Sequence, residues 1–495
     1  MNTAFPPDSF ARSCVRCIFN NVVDPDIYFD EQGLCNHCVF YDKTVAPLLK
    51  MDRSAELTRI VDAIKKDGKG KRYDCIIGVS GGVDSSYVAH VVKELGLRPL
   101  AVHCDNGWNT ELAVSNISNL LTKLVIDLYT HVINWDEFKD IQLAYLKASV
   151  IDVEAPSDHA IAATMYRQAA RFGVKHILSG ENFITEGYLP ESWVHMKNDL
   201  VNIKAIHRQF GHVPMKSFPT LGLIKRFYYE KVRGIRYVPI LDYVHYVKSD
   251  AKKLLMDRYD WRDYGGKHYE SIITRFYQSY ILPVKFGVDK RYSHLSTLIC
   301  TGQITRAEAL AEVAKPPYDP QKMIEDKRYV AKKFGLTEEG FDALMALPVR
   351  SHFDYPSVLD TFETLRPLVE TYKNITGRSR TYPVKRKQSA AVLVNNACAS
   401  TNDTQTQRGL PSDRDVTVFA VTDPSLPSYE TRKGIKIRRV FEPDASNRRK
   451  QNAEARRIAQ KGFGLIQADD ARMLEVAQLI QKLCPDCDVA DGSKP

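Results

Sequence analysis

The segment Ser80-Gly81-Gly82-Val83-Asp84-Ser85 constrains this chain more than any other. It follows an apolar run, Tyr73 to Val79, that reads as a buried parallel strand. It precedes a helical pattern with apolar residues at Val88, Val91, Val92 and Leu95. A strand, a glycine-serine loop and a helix make an anion cradle. The glycines let backbone approach a phosphate closely, and the N–H groups of the first helical turn point at it. Ser80, Ser85 and Ser86 add hydroxyl donors. Asp84 stands apart, because a carboxylate beside a polyphosphate is repulsive unless a cation lies between them. It therefore implies Mg²⁺. A Walker A loop would read GxxxxGK[ST], and its lysine is missing here.

Downstream, strands and helices alternate. Pro99 to Cys104 reads as a strand ending at Asp105, Thr110 to Thr122 as a helix, Leu124 to Ile133 as a strand and Asp136 to Ala148 as a helix. Pro156 to Phe172 reads as a helix capped near Ser157 or Asp158, and Lys175 to Ser179 as a strand ending at Gly180-Glu181-Asn182. Such alternation predicts a doubly wound parallel α/β sheet, with ligands outside the carboxyl ends of its strands. Three strand ends then converge on one site: the glycine loop, His103/Asp105/Asn106, and Gly180/Glu181/Asn182. The loop resembles the PP-loop of ATP pyrophosphatases, which split ATP into AMP and pyrophosphate. That resemblance implies adenylation of a carbonyl-type oxygen, followed by attack of ammonia or sulfur.

Size and charge bound the rest. A chain of 495 residues holds about three domains by length. The net charge of +9 is a mild excess that fits an anionic substrate and argues only weakly for nucleic acid. Pro6, Pro7 and Asp8 break any signal peptide, and no run approaches a membrane helix, so a cytoplasmic protein is expected. Its ten cysteines then read as thiols or metal ligands. Cys14-x2-Cys17 and Cys35-x2-Cys38, 17 residues apart, supply four thiolates for a closed structural Zn²⁺ site, with an iron–sulfur cluster as the alternative. Phe29 to Gly33 reads as a strand end and turn before the second pair. Cys75 and Cys104 read as core, Cys300 and Cys398 as isolated, and Cys484-x2-Cys487 as incidental.

Residues from about 190 to 350 are helical, aromatic and basic. Gly265-Gly266, between Tyr264 and Lys267, suggests a tight approach to something. Cations in this region are candidates to contact substrate or pyrophosphate. The motifs GVSGGVDSS, LSGENFITEG, WRDYGGKHYES, RFYQSYILPVKFGVDKR and HLSTLICTGQITRAEAL, behind the paired cysteines, resemble the N-acetyl sugar amidotransferases. These are PP-loop enzymes of bacterial surface-polysaccharide (LPS, O-antigen) synthesis. The resemblance covers roughly Cys14 to Pro348. It implies conversion of an acetamido group on a nucleotide-activated sugar to an acetamidino group. ATP would adenylate the amide oxygen, and ammonia would displace AMP. Ser80, Gly81, Gly82, Ser85 and Ser86 would hold pyrophosphate, Asp84 would place Mg²⁺, and Lys285 and Arg291 would assist. Asn2 stands where an N-terminal nucleophile would need cysteine, and no GxCxG elbow occurs. Ammonia should come from a separate glutaminase of the histidine-biosynthesis type, with a cyclase-like barrel as conduit. A PP-loop tRNA thiolase is the competing reading.

The expected organisation is a zinc lobe over 1–50, the PP-loop domain over 51–190, a helical substrate lobe over 191–377, a linker over 378–390 and a Rossmann-like domain over 391–495. Strands at Ala391–Asn395, Asp415–Val421 and Gly434–Val440 resemble the opening half of a GT-B glycosyltransferase, with an unrelated small α/β domain as the alternative.

Overall fold

The computed structural model describes residues 12–24, 26–187, 190–266 and 268–360, together with the backbone of six strands between 389 and 491. Contacts divide the chain into two compact units: Met1–Phe19 with His37–Tyr355, and Asn20–Asn36 with Pro356–Pro495.

The first unit is built on a five-stranded sheet: β1 Cys75–Gly78, β2 Pro99–Asp105, β3 Asp127–Val132, β4 His176–Ser179 and β5 Arg236–Pro239. Its order is β3-β2-β1-β4-β5, and every pairing is parallel. Successive side chains of a strand face opposite sides, so an apolar run feeds two cores. Cys75 and Ile77 of β1, Ala101 of β2 and Leu178 of β4 face one core, which includes Val88, Val92, Leu120 and Leu255. Ile76, Leu100, Val102 and Ile177 face the other, with Met165, Tyr166 and Ala169. Full burial of each such side chain contributes about 1.5–3 kcal/mol. The doubly wound parallel sheet expected from the sequence is therefore present. The order reverses between β1 and β4, which opens a crevice at their carboxyl ends.

Two local expectations differ. The helix Ala155–Phe172 starts with Pro156 in its first turn, and Glu154 rather than Ser157 or Asp158 is the N-cap residue, without a side-chain cap. Proline's fixed φ suits that turn. β5 was not anticipated, because it lies inside the segment read as helical.

A polar cluster is buried beside this sheet. His352 is 4% exposed and stacks on His195 at 4.2 Å. Its Nδ1 faces Asn202 Oδ1 at 2.9 Å, while Asp152 N–H donates to Nε2 at 3.3 Å. That pairing fixes a neutral ring. Burial, then the neighbouring His195, pushes the His352 pKa down to about 3. Its contribution to stability is present above the ordinary histidine pKa near 6.5 and is lost as pH falls from there toward 3. At pH 5 the loss should be about 2 kcal/mol. Melting temperature should fall between pH 6.5 and 5, and His352→Gln should flatten that slope. An equal slope in the variant would assign the effect to other groups.

The second unit contains a six-stranded sheet, β6 Ser389–Val394, β7 Asp415–Thr422, β8 Tyr429–Arg432, β9 Ile435–Phe441, β10 Phe463–Ala468 and β11 Asp488–Asp491. The order is β11-β10-β6-β7-β9-β8, parallel except for the β8–β9 pair. This is the Rossmann-like arrangement expected from its apolar runs. Of the linker expected over 378–390, Ser389 and Ala390 belong to β6, while 378–388, Cys398 and the Cys484/Cys487 pair lie outside the described residues.

Candidate active site

The glycine loop leaves β1 at the crevice. Gly82 is the N-cap of the helix Val83–Glu94, and Gly81 has φ +85°. A Cβ at Gly81 would lie 2.9 Å from both Ala113 O and Tyr264 Oη, so only glycine fits. Serine hydroxyls shape the loop. Ser80 N–H donates to Ser85 Oγ at 3.2 Å, Ser85 Oγ donates to Gly82 O at 3.1 Å, and Gly82 N–H donates to Ser80 Oγ at 3.3 Å. Ser86 departs from expectation. It is 1% exposed, and its Oγ is buried without a hydrogen-bond partner, so it faces the core instead of the cradle. Adjacent helical positions point about 100° apart, and Ser85 and Ser86 divide accordingly.

The other strand ends meet the loop. A Cβ at Gly180 would lie 3.0–3.2 Å from the backbone of Asp84 and Ser85, so β4 ends against the helix start. His103, 8% exposed, places Nδ1 2.8 Å from Val79 O, and Asn109 Nδ2 is 3.0 Å from its Nε2. Asp105 Oδ1 accepts from Gly107 N–H and Asn109 Nδ2. His103 and Asp105 also line a groove of about 590 Å³ running along the helix Glu111–Leu124 and β3. Glu181 accepts from Tyr237 Oη of β5 at 3.2 Å, and burial raises its pKa. Asn182 caps the short helix Phe183–Glu186 through Thr185 N–H.

Residues distant in sequence cover the loop. Trp261 Nε1 and Tyr264 Oη both donate to Gly81 O at 2.9 Å. Asn116, fully buried, exchanges two hydrogen bonds with the Arg262 backbone. Tyr246, 2% exposed, donates its hydroxyl to Asp84 Oδ1, and Lys248 Nζ lies 3.6 Å from Oδ2. Burial and Asp84 raise the Tyr246 pKa, which keeps it a donor. Asp84 thus sits in the first helical turn of the cradle with one tyrosine and one lysine on it. A carboxylate at the mouth of an anion cradle is a donor that would suit Mg²⁺. Sequence reasoning missed Tyr246, Lys248 and Asn116. The paired glycines at 265–266 were the visible signal for the cover.

Lys285 and Arg291 act elsewhere. Lys285 Nζ donates to Leu344 O, Met345 O and Leu347 O at 2.8–2.9 Å, closing the end of the helix Glu338–Met345. Arg291 pairs with Asp289 and donates to the carbonyls of Glu312, Val313 and Lys315 after the helix Arg306–Val313. Cations satisfy helix C-terminal carbonyls in this way. Their expected catalytic role is corrected to a structural one.

The thiols of Cys14, Cys17, Cys35 and Cys38 are buried and lie within 4.8 Å of one another. That donor set fits zinc. Phe29 bridges Cys35 across a turn at Gly33, as expected. Arg306 donates to Cys17 O at 3.1 Å, and Cys300 Sγ, read as isolated, lies 4.0 Å from Cys38 Sγ. Metal analysis should find about one zinc per chain. Cys35→Ser should lower the melting temperature before it alters any chemistry. Iron–sulfur absorption, or no zinc, would overturn the assignment.

A doubly wound sheet with a Gly-Gly cradle and an acidic residue at its switch point is the arrangement that the sequence resemblance to PP-loop proteins implies. Residues 270–366 match the family model described as LPS biosynthesis protein WbpG-like, C-terminal domain. The match takes in RFYQSYILPVKFGVDKR and HLSTLICTGQITRAEAL, two of the motifs behind the sequence resemblance. No curated protein matches the chain. Among solved structures it is similar to an NMN synthetase from Francisella tularensis, at 15% identity over 58% of this chain and 98% of that one, with a TM-score of 0.26. It is also similar to an NH3-dependent NAD synthetase from Campylobacter jejuni subsp. jejuni, at 15% identity over 42% and 94%, with a TM-score of 0.22. Likeness at that level adds nothing to what the sheet order already shows. No helix among the described residues is long and apolar enough to cross a membrane.

Proposed function

We propose that this chain is an ATP-dependent amidotransferase of lipopolysaccharide or O-antigen synthesis, turning an acetamido group of a nucleotide-activated sugar into an acetamidino group. The observation that carries the reading is Asp84, a carboxylate in the first helical turn of a Gly-Gly cradle at the sheet's switch point. The match of 270–366 to an LPS biosynthesis family supports the substrate class.

In this reading the amide oxygen attacks the α-phosphate of ATP. The loop N–H groups and the Ser80 and Ser85 hydroxyls receive the departing pyrophosphate. Preorganised donors of this kind supply most of the transition-state stabilisation. Asp84 would hold Mg²⁺, which neutralises charge on the phosphates. The groove at His103 and Asp105 would take the nucleoside. Ammonia then adds to the activated carbon and AMP leaves with the amide oxygen. Cys75 and Cys104 lie in β1 and β2, and burial raises both thiols, so neither suits a glutaminase nucleophile. A separate glutaminase of the histidine-biosynthesis type, with a cyclase-like barrel as conduit, would deliver ammonia.

The test supplies ATP, Mg²⁺, an acetamido sugar nucleotide and concentrated ammonium. AMP and amidine should form in equal amounts. Glutamine should serve only after the glutaminase is added. Glutamine turnover by the isolated chain would remove the partner. AMP release with tRNA but with no acetamido sugar would transfer the reading to a tRNA thiolase.

A further inference from the structure

The cradle has a second carboxylate that the proposed chemistry has not used. Glu270 Oε1 lies 3.0 Å from where a Gly82 Cβ would stand. Its backbone is pinned there. Thr110 N–H donates to Glu270 O at 3.0 Å, Asn109 bridges Ser271, and Ile272 N–H donates to Trp108 O. The Glu270 side chain is 17% exposed. Burial acts to raise its pKa and Asp84 adds to that, yet the hydrogen bond and charge of His268, together with Glu270's own backbone N–H, hold the carboxyl below its ordinary value. Direct phosphate binding does not explain an ionised carboxylate there, since the two repel unless a cation lies between them.

What Glu270 faces does. His268 Nδ1 lies 3.7 Å from Glu270 Oε1. His268 has φ +61°, a left-handed conformation uncommon for a residue with a side chain. Gly265, three positions earlier, has φ +75°. The imidazole is one-third exposed against 17% for the Glu270 side chain, so it is the more accessible of the two. A half-buried carboxylate 3.7 Å from an accessible imidazole is at charge-pairing distance, and can tighten into the hydrogen bond of a general base with its positioning group when substrate binds. Both ring nitrogens of His103, by contrast, are engaged with Val79 O and Asn109.

We infer that His268 is the catalytic base of the amine-addition step and that Glu270 positions it. The inference rests on the amidotransferase reading. Ammonia adds to the activated carbon through its lone pair, forming a C–N bond and leaving a positive charge on nitrogen. If that nitrogen keeps its proton, ammonia is the better leaving group and the adduct reverts. His268 removes one proton. The neutral amine then drives out AMP as the C–O bond breaks, the amide oxygen leaves on the phosphate, and an amidinium remains. No oxidant or reductant takes part.

The experiment separates the two half-reactions in the full chain. Wild-type protein is assayed for ATP–pyrophosphate exchange with an acetamido sugar nucleotide, then for amidine formation with ammonium. His268→Asn is the main variant, because asparagine tolerates the left-handed conformation and keeps the turn. Exchange should remain within about threefold while amidine formation drops about 10²-fold or more. Hydroxylamine, whose adduct loses its proton to water far more readily, should restore product formation. Glu270→Gln should lose about tenfold more in the amine step than in exchange. Equal loss of exchange and amidine in both variants would make the pair structural and overturn the inference, as would unchanged amidine formation. A wild-type chain that exchanges no pyrophosphate removes the amidotransferase reading and the inference with it.

Discussion

Asp84→Asn should abolish Mg²⁺-dependent AMP formation while leaving the fold intact. Asparagine keeps the shape of the side chain and can still accept the Tyr246 hydroxyl, which is directed at Oδ1. It removes the charge that a cation needs, and with it several kcal/mol of transition-state stabilisation, on the order of 10³-fold or more in rate. Lys248 then loses its counter-charge, 3.6 Å away, so residual phosphate binding should become less dependent on Mg²⁺. Calorimetric titration of ATP with and without Mg²⁺, beside the AMP assay, checks both effects. Full activity in the variant would remove the assigned role.

The largest expected change in stability lies next to the loop's cover. Arg275 and Asp326 form a bidentate pair, Nε to Oδ2 at 2.7 Å and Nη2 to Oδ1 at 2.9 Å, with side chains 9% and 6% exposed. The Tyr318 hydroxyl also donates to Asp326, and the guanidinium lies 5.4 Å from the centre of the Tyr269 ring. Asp326→Ala strands a buried cation and a tyrosine donor, and should cost about 3–5 kcal/mol. Replacing both partners with apolar residues of similar volume should recover most of that loss, because the pair's own desolvation penalty disappears with it. Urea midpoints of the single and double variants decide the matter. A single-variant loss below about 1 kcal/mol would mean that solvent reaches the pair and screens it.

The sheet was readable because parallel strands are covered on both faces and therefore apolar throughout. Ile76 and Ile77 serve opposite cores, and neither needs a polar neighbour between them. β5 escaped because Arg236 and Tyr237 are exposed at the sheet edge, where nothing demands an apolar run. In the site, Ser80 to Ser85 and Gly180 were legible because their chemistry is local to a strand end. The roles of Tyr246, Trp261 and Tyr264 were not, since their contacts arise from a return of the chain 162 to 183 residues later. Lys285 and Arg291 were misassigned because charge alone does not distinguish a ligand from a row of helix-end carbonyls. The helices ending at Met345 and Val313 each offered such a row.

The segment similar to the WbpG-like domain begins at residue 270, the glutamate that lies against Gly82. A boundary drawn there by sequence likeness cuts through the contacts around the glycine loop. The glycine loop and the region from Trp261 to Tyr355 belong to one compact unit. They are therefore not modules that can be exchanged between proteins one at a time. A chimaera joined at that boundary would combine a cradle from one parent with a carboxylate and cover from another. Its success would depend on matching a handful of contacts around Gly81 and Gly82, whatever the similarity of the two halves taken separately.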